Sequence, residues 1–349
     1  LNEMPYDVPS ELKDAIMQTV QQAALHRYPE PFANSLVVQL AAQYGCQPEQ
    51  VMVGPGSSSF IRLLLTYFGM NMKGSLVITR PSFAYYEQFC RSFGVAYETW
   101  ELDENFEYDL SGLDNLPDYS VVCLTTPNNP TGNTLPATDV EALLRQNPRS
   151  LFIVDEAYVE FAEQSLLPLL DHYDNLLLLR TLSKAFGVAN VRCGILIGEA
   201  SLVGALSRLQ TPWQLSTFTI EAAKAVLDYD QRTGLVQNRV QQLILERQRL
   251  WQQCQDHDSA DFRIFSSHAN FLLFQAHTPE AHTALLAAVA RHRVLVSDLG
   301  SLPRLEHCVR VTIGQPAEND LFAQAFAQAV REIRPAASVT EVDHQSTSA

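Results

Sequence analysis

The feature that most constrains this chain is a set of short runs that are apolar almost throughout: "QVMVG", "SLVITR", "SVVCLTT", "LFIVDEA", "NLLLLR" and "GILIGE". A strand with one face in water alternates apolar and polar residues, whereas a run without alternation is buried on both faces. Helix-like stretches separate many of these runs, among them "SSFIRLLLTYFG", "YYEQFCRSFG" and "ATDVEALLRQ". Buried strands alternating with helices predict an α/β fold, with helices covering both faces of a mostly parallel sheet. From about Leu206 the pattern turns helical, through "IEAAKAVLDY" and the charged run "VQNRVQQLILERQRLWQQCQ". Beyond it, "ANFLLFQA", "RVLVSD" and "CVRVTIG" read as strands around the helix "PEAHTALLAAVARH", which suggests a small α+β domain.

This pattern divides the chain into four parts. An N-terminal arm and helix (1–28) packs on the small domain or on a partner subunit. A large domain (29–244) and a small C-terminal domain (245–335) follow. The tail, 336–349, lacks apolar periodicity and reads as disordered. Ser10 is the expected N-cap of the first helix, with Asp14 in its first turns.

With 349 residues, 46% of them hydrophobic, the chain can bury one large core and a smaller one. A formal net charge of −15 argues against nucleic acid or an anionic membrane surface as partner. It does not exclude a small anion held by local arginines and backbone N–H groups. The six cysteines include no Cys-x-x-Cys pair, which predicts free, mostly buried thiols, a reducing compartment and no metal site. Without a signal-peptide pattern or an apolar run of membrane-spanning length, the expectation is a soluble cytoplasmic protein.

Open parallel sheets bind ligands beyond the carboxyl ends of their strands, so polar residues placed there are the ones to collect. "QVMVG" is followed by Gly56, Ser57, Ser58 and Ser59 and then a helix, which makes a cup for phosphate or an ordinary Gly/Ser turn. The same stretch begins like a dinucleotide fingerprint. The next strand, however, ends Thr79-Arg80-Pro81, without the acid that would hold ribose hydroxyls. "SVVCLTT" leads into Pro127-Asn128-Asn129-Pro130, a plain loop or a fixed amide. "LFIV" delivers Asp155, Ala157 and Tyr158, where the acid is a helix cap or a ligand group. "NLLLLR" delivers Thr181, Ser183 and Lys184, followed by a helix-like run to Arg192. Together these groups suit an aromatic cofactor with a phosphate, a ring nitrogen, a phenolic oxygen and the capacity to bond covalently to lysine. Pyridoxal 5′-phosphate is such a molecule.

"TPNNPTG", "VDEAYVEF" and "RTLSKAFGVANVRCG" resemble the fold-type-I pyridoxal-phosphate aminotransferases, in particular the histidinol-phosphate aminotransferase group. The resemblance extends to "LNEMPY", "HRYPEP", "SHANFLLF" and "CVRVTIGQPAEND" and so covers nearly the whole chain. It implies a large domain on a mostly parallel seven-stranded sheet, a small α+β domain and a homodimer with shared active sites. It also implies transamination between an amine or α-amino acid and a 2-oxo acid. A lyase, decarboxylase or cyclase on the same scaffold is the alternative, and a non-catalytic sensing module is disfavoured by the full catalytic set.

By position, the resemblance makes Lys184 the internal-aldimine lysine and the proton carrier. Asp155 becomes the partner of the ring nitrogen, while Tyr158 and Asn129 bond the phenolic oxygen. Phe83 and Ala157 cover the two ring faces. Ser57, Ser58, Thr181, Ser183 and Arg192 surround the phosphate, and Tyr28 reaches the phosphate of the other subunit. Arg310, together with Asn129, grips the acidic group of the substrate, for which the planar fork of the arginine is suited.

Three positions depart from the group's pattern. The cup lacks the usual acids after Gly56, and Asn190 stands where Gly is usual. Ser297 in "RVLVSDLGS" replaces a second substrate arginine, with Arg304 as a candidate substitute. Losing one of two cations for a phosphate dianion is expected to cost a few kcal/mol of binding, by the size of charge-assisted hydrogen bonds.

Overall fold

The computed structural model describes residues 2–71, 73–113, 116–255 and 261–333. Seven strands form the large sheet: β1 (Val51–Pro55), β2 (Leu76–Arg80), β3 (Glu98–Glu101), β4 (Val121–Thr125), β5 (Leu151–Asp155), β6 (Leu176–Thr181) and β7 (Cys193–Gly198). Their order is β1-β7-β6-β5-β4-β2-β3, and β7 alone runs against its neighbours. Successive residues of the central strands feed two cores. Val122, Leu124, Phe152, Val154 and Leu178 face one, and Cys123, Ile153, Leu177 and Leu179 face the other. That two-sided burial is why these runs show no alternation.

The helices are α1 (Ser10–Gln21), α2 (Asn34–Tyr44), α3 (Ser57–Asn71), α4 (Tyr85–Phe93), α5 (Ala137–Gln146), α6 (Ala200–Ser207), α7 (Thr217–Thr233), α8 (Leu235–Gln255), α9 (Pro279–Arg291) and α10 (Pro316–Ile333). None of them is long and apolar enough to cross a membrane. A second, antiparallel sheet has the order β10-β11-β9-β8, built from β8 (Phe262–Phe265), β9 (Phe271–Ala276), β10 (Ser297–Asp298) and β11 (Cys308–Thr312). The rings of Phe274, Phe322 and Phe326 pack α10 against it. All six cysteines are free, and all but Cys46 are fully buried.

Several local expectations need correction. Ser10 is the first helical residue and not the cap. The carbonyl of Pro9 accepts the first helical bond, from the Lys13 N–H at 3.0 Å, so Pro9 holds the N-cap position. The run from Lys184 to Arg192 is not a helix. Gly187 (φ 70°) and Arg192 (φ 58°) both take left-handed backbone, and only Ala189–Val191 makes a short 3-10 turn. Of "RVLVSD" only Ser297–Asp298 pairs as strand. The strands β3 and β8 went unpredicted. In β3, at the sheet edge, only Trp100 is buried. α8 runs unbroken through residue 244, and the tail 336–349 lies outside the described residues.

Candidate active site

The carboxyl ends of β4, β5 and β6 open into a cavity of about 230 Å³. Ser57, Ser58, Phe83, Asn129, Asp155, Ala157, Tyr158, Thr181, Ser183, Lys184, Arg192 and Arg310 all line it, so the structure brings together every expected site residue but one. The exception is Tyr28, which is 82% exposed and packs at a tilt against Trp213, ring centroids 5.3 Å apart, and does not line its own cavity. Gly56, expected in the cup, lines it too, while Asn2, Thr125 and Pro127 also line the cavity and were not foreseen as site residues. Thr125 and Pro127 obey the strand-end rule and were legible by it. Nothing in the residues around Asn2 signals its place.

One end of the cavity is built for an anion. Gly56 (φ 80°) turns the chain from β1 into α3, whose first residues are Ser57 and Ser58, so N–H groups and hydroxyls converge at a helix N-terminus. A side chain at Gly56 would lie 2.5 Å from Arg192 Nη2, so only glycine lets the guanidinium lie against the cup. Gly194 on β7 is equally constrained. A Cβ there would sit 2.2 Å from both the Gly56 carbonyl carbon and the Ser57 nitrogen. The Thr181 hydroxyl accepts from the Ser183 N–H at 3.1 Å, which turns the chain sharply after β6 and presents Lys184 to the cavity.

At the other end, Asp155 accepts from the Ala157 N–H at 3.0 Å and from the Tyr86 hydroxyl at 3.3 Å. Burial pushes its carboxyl up to about 6. Burial moves Lys184 the other way, down to about 8, assisted by the positive charge of Arg310. Tyr158 is pushed up to about 12, again by burial, and remains a neutral phenol. Directly behind, Arg180 and Glu156 form a buried ion pair at 2.7 Å that ties the end of β6 to the end of β5. That pair also carries the Ser165 hydroxyl and the face of Tyr44.

Arg310 enters from β11. Its Nη1 donates to Asn129 Oδ1 and its Nη2 to the Ser297 hydroxyl at 3.2 Å, while its buried Nε has no partner among the described residues. Ser297 therefore steadies Arg310 and adds no second charge. Arg304 does not substitute for the missing cation, because it engages Glu101 and the Asp103 carbonyl and does not line the cavity.

The family model for aminotransferase class I and II matches residues 1–326. The chain belongs to this family. Among relatives of this aminotransferase, the histidinol-phosphate aminotransferase of Pyrococcus furiosus is 34% identical over 336 residues, covering 95% of this chain and 92% of the relative. That of Thermococcus kodakarensis is 35% identical over 329 residues, covering 94% and 90%. The aminotransferase fold is shared with the histidinol-phosphate aminotransferase from Sinorhizobium meliloti, solved in complex with pyridoxal 5′-phosphate, at a TM-score of 0.82 and 24% identity. That likeness covers 95% of this chain and 90% of the other.

Proposed function

We propose that this aminotransferase works with pyridoxal 5′-phosphate and moves an amino group from an α-amino acid or a histidinol-phosphate-like donor to a 2-oxo acid. The observation that carries the reading is the convergence of Lys184, Asp155 and an anion cup in one cavity. The donor set fits the cofactor. Ser57, Ser58, Ser183 and Arg192 suit its phosphate, with Thr181 beneath them. Asp155 suits a protonated ring nitrogen, Tyr158 and Asn129 suit the ring oxygen, and Phe83 and Ala157 suit the two ring faces. When bound, the cofactor supplies an electron sink for the charge left as a bond at the substrate's α-carbon breaks.

The chain's own groups do the rest. Asp155, with its pKa near 6, is ionised at neutral pH and keeps a proton on the group it faces. Lys184, held near 8, keeps an appreciable neutral fraction, so its Nζ serves first to anchor the cofactor covalently and then to carry a proton. Arg310 lines the cavity and suits a substrate carboxylate or phosphate, and Asn129 and Ser297 hold its guanidinium in place. A single arginine matches a monoanionic carboxylate more closely than a phosphate dianion. Tyr28, exposed on its own chain, is read as serving the phosphate of a second copy in a homodimer.

The test is a single turnover of cofactor-loaded protein without acceptor, using histidinol phosphate and then glutamate, aromatic, aliphatic and basic amino acids. One equivalent of the oxo product per site, without carbon dioxide, is the expected result. Release of carbon dioxide would turn the reading toward a decarboxylase, and borohydride treatment should leave the cofactor's mass on Lys184.

A further inference from the structure

Asn2 is 1% exposed, takes left-handed backbone (φ 55°), and sits in the cavity with its side-chain amide and its carbonyl both engaged. Its Nδ2 donates to the Tyr158 hydroxyl at 3.0 Å, and its Oδ1 accepts from the Thr312 hydroxyl at 2.9 Å. Its carbonyl accepts from Asn270 Nδ2 at 3.1 Å and from Lys184 Nζ at 3.3 Å. Other contacts seat the arm independently. Gln315 Nε2 donates to the Pro5 carbonyl at 3.0 Å, Arg239 holds the carbonyls of Tyr6 and Asp7, and Met4 lies against Gly187.

A phenol has one proton to give and lone pairs to receive. The Asn2 amide nitrogen can only donate, so it fills a lone pair of Tyr158 and leaves the phenolic proton for another acceptor. Asn2 is the one hydrogen-bond partner of that hydroxyl among the described residues, and Tyr158 lines the cavity. In this arrangement the Thr312 hydroxyl donates to Oδ1 and leaves Nδ2 to Tyr158.

We infer that Asn2 is a positioning residue that aims the Tyr158 proton into the cavity, so that Tyr158 acts as a donor to the ring oxygen of the bound cofactor. Because Thr312 and Asn270 belong to the small domain, this aim is set only when that domain and the arm are both seated. The inference rests on the cofactor reading above and deepens it.

The consequence is spectroscopic. A donor on the ring oxygen draws charge from it and weakens its hold on the proton of the neighbouring lysine nitrogen. Losing the donor raises the pH at which the bound cofactor's absorbance titrates. In Asn2→Ala, that pH is expected to rise by about half a unit to one unit. Thr312→Val, which unlocks the amide without removing it, moves it in the same direction by less. In a Tyr158→Phe background, Asn2→Ala adds nothing, whereas an arm that merely fell away would still add its own effect.

The control is the wild-type protein, whose absorbance must be present and bleached by borohydride. Without it the cofactor reading itself fails, and this inference with it. With that band present, no shift in Asn2→Ala overturns the inference, and so does an equal shift in the Tyr158→Phe background. A fall is equally decisive, since it would mean that the amide faces the other way and had been taking the Tyr158 proton. Should Asn2→Ala not fold, Thr312→Val is read by the same criteria.

Discussion

Lys184 and Asp155 are moved in opposite senses by one cause, the removal of water from a charge. Lys184 falls from its ordinary 10.5 to about 8 in the folded chain, so between those values the unfolded chain holds more protons than the folded one. The stability of the cofactor-free protein therefore rises with pH across that window, and Lys184→Met should flatten the rise. The same shift predicts that reductive methylation with formaldehyde modifies Lys184 in cofactor-free protein with a midpoint near 8, measured by peptide mass against pH. A midpoint near the ordinary lysine value would contradict it. At this scale the site was largely legible, because Asp155, Lys184 and the Ser57–Ser58 pair each follow an apolar run directly. Asn2 was not, since its partners Asn270 and Thr312 lie 268 and 310 residues away in sequence, and no local pattern spans such distances.

The elements whose burial is two-sided were readable, and those whose role depends on a neighbour were not. β4, β5 and β6 betray themselves by composition. β3 and β8 are short, and each owes its strand to the partner beside it. The segment after Lys184 reads as helix-like, but Gly187 and Arg192 turn it to bring the guanidinium back to the cup. The junction of β1, β7 and α3 is the tightest of these arrangements, with Gly194 directly against the Gly56–Ser57 backbone. Gly194→Ala has only main chain to push against. It should destabilise the protein by about 1–3 kcal/mol and weaken cofactor binding more than tenfold. Calorimetry and a cofactor titration measure the two effects, and a neutral result would mean that the cup is more pliant than its spacing implies.

Across the whole molecule, the arm adds a further tie between the two sheets, beside the Arg310–Asn129 bond. It bonds to Tyr158 and Lys184 on the large sheet's side and to Asn270, Thr312 and Gln315 on the other. Deleting residues 1–8 should lower Tm by roughly 5 °C, from a handful of hydrogen bonds of about 1 kcal/mol each. An unchanged Tm in a calorimetric scan would show that the sheets hold each other without it. Order of synthesis adds a different consequence. A ribosome makes Asn2 before nearly everything it touches, and Thr312 emerges some three hundred residues later. The arm must therefore stay uncommitted throughout translation, and a chain stopped short of β11 has no lock for the amide that aims Tyr158. Completion of the site thus waits on the synthesis of β11.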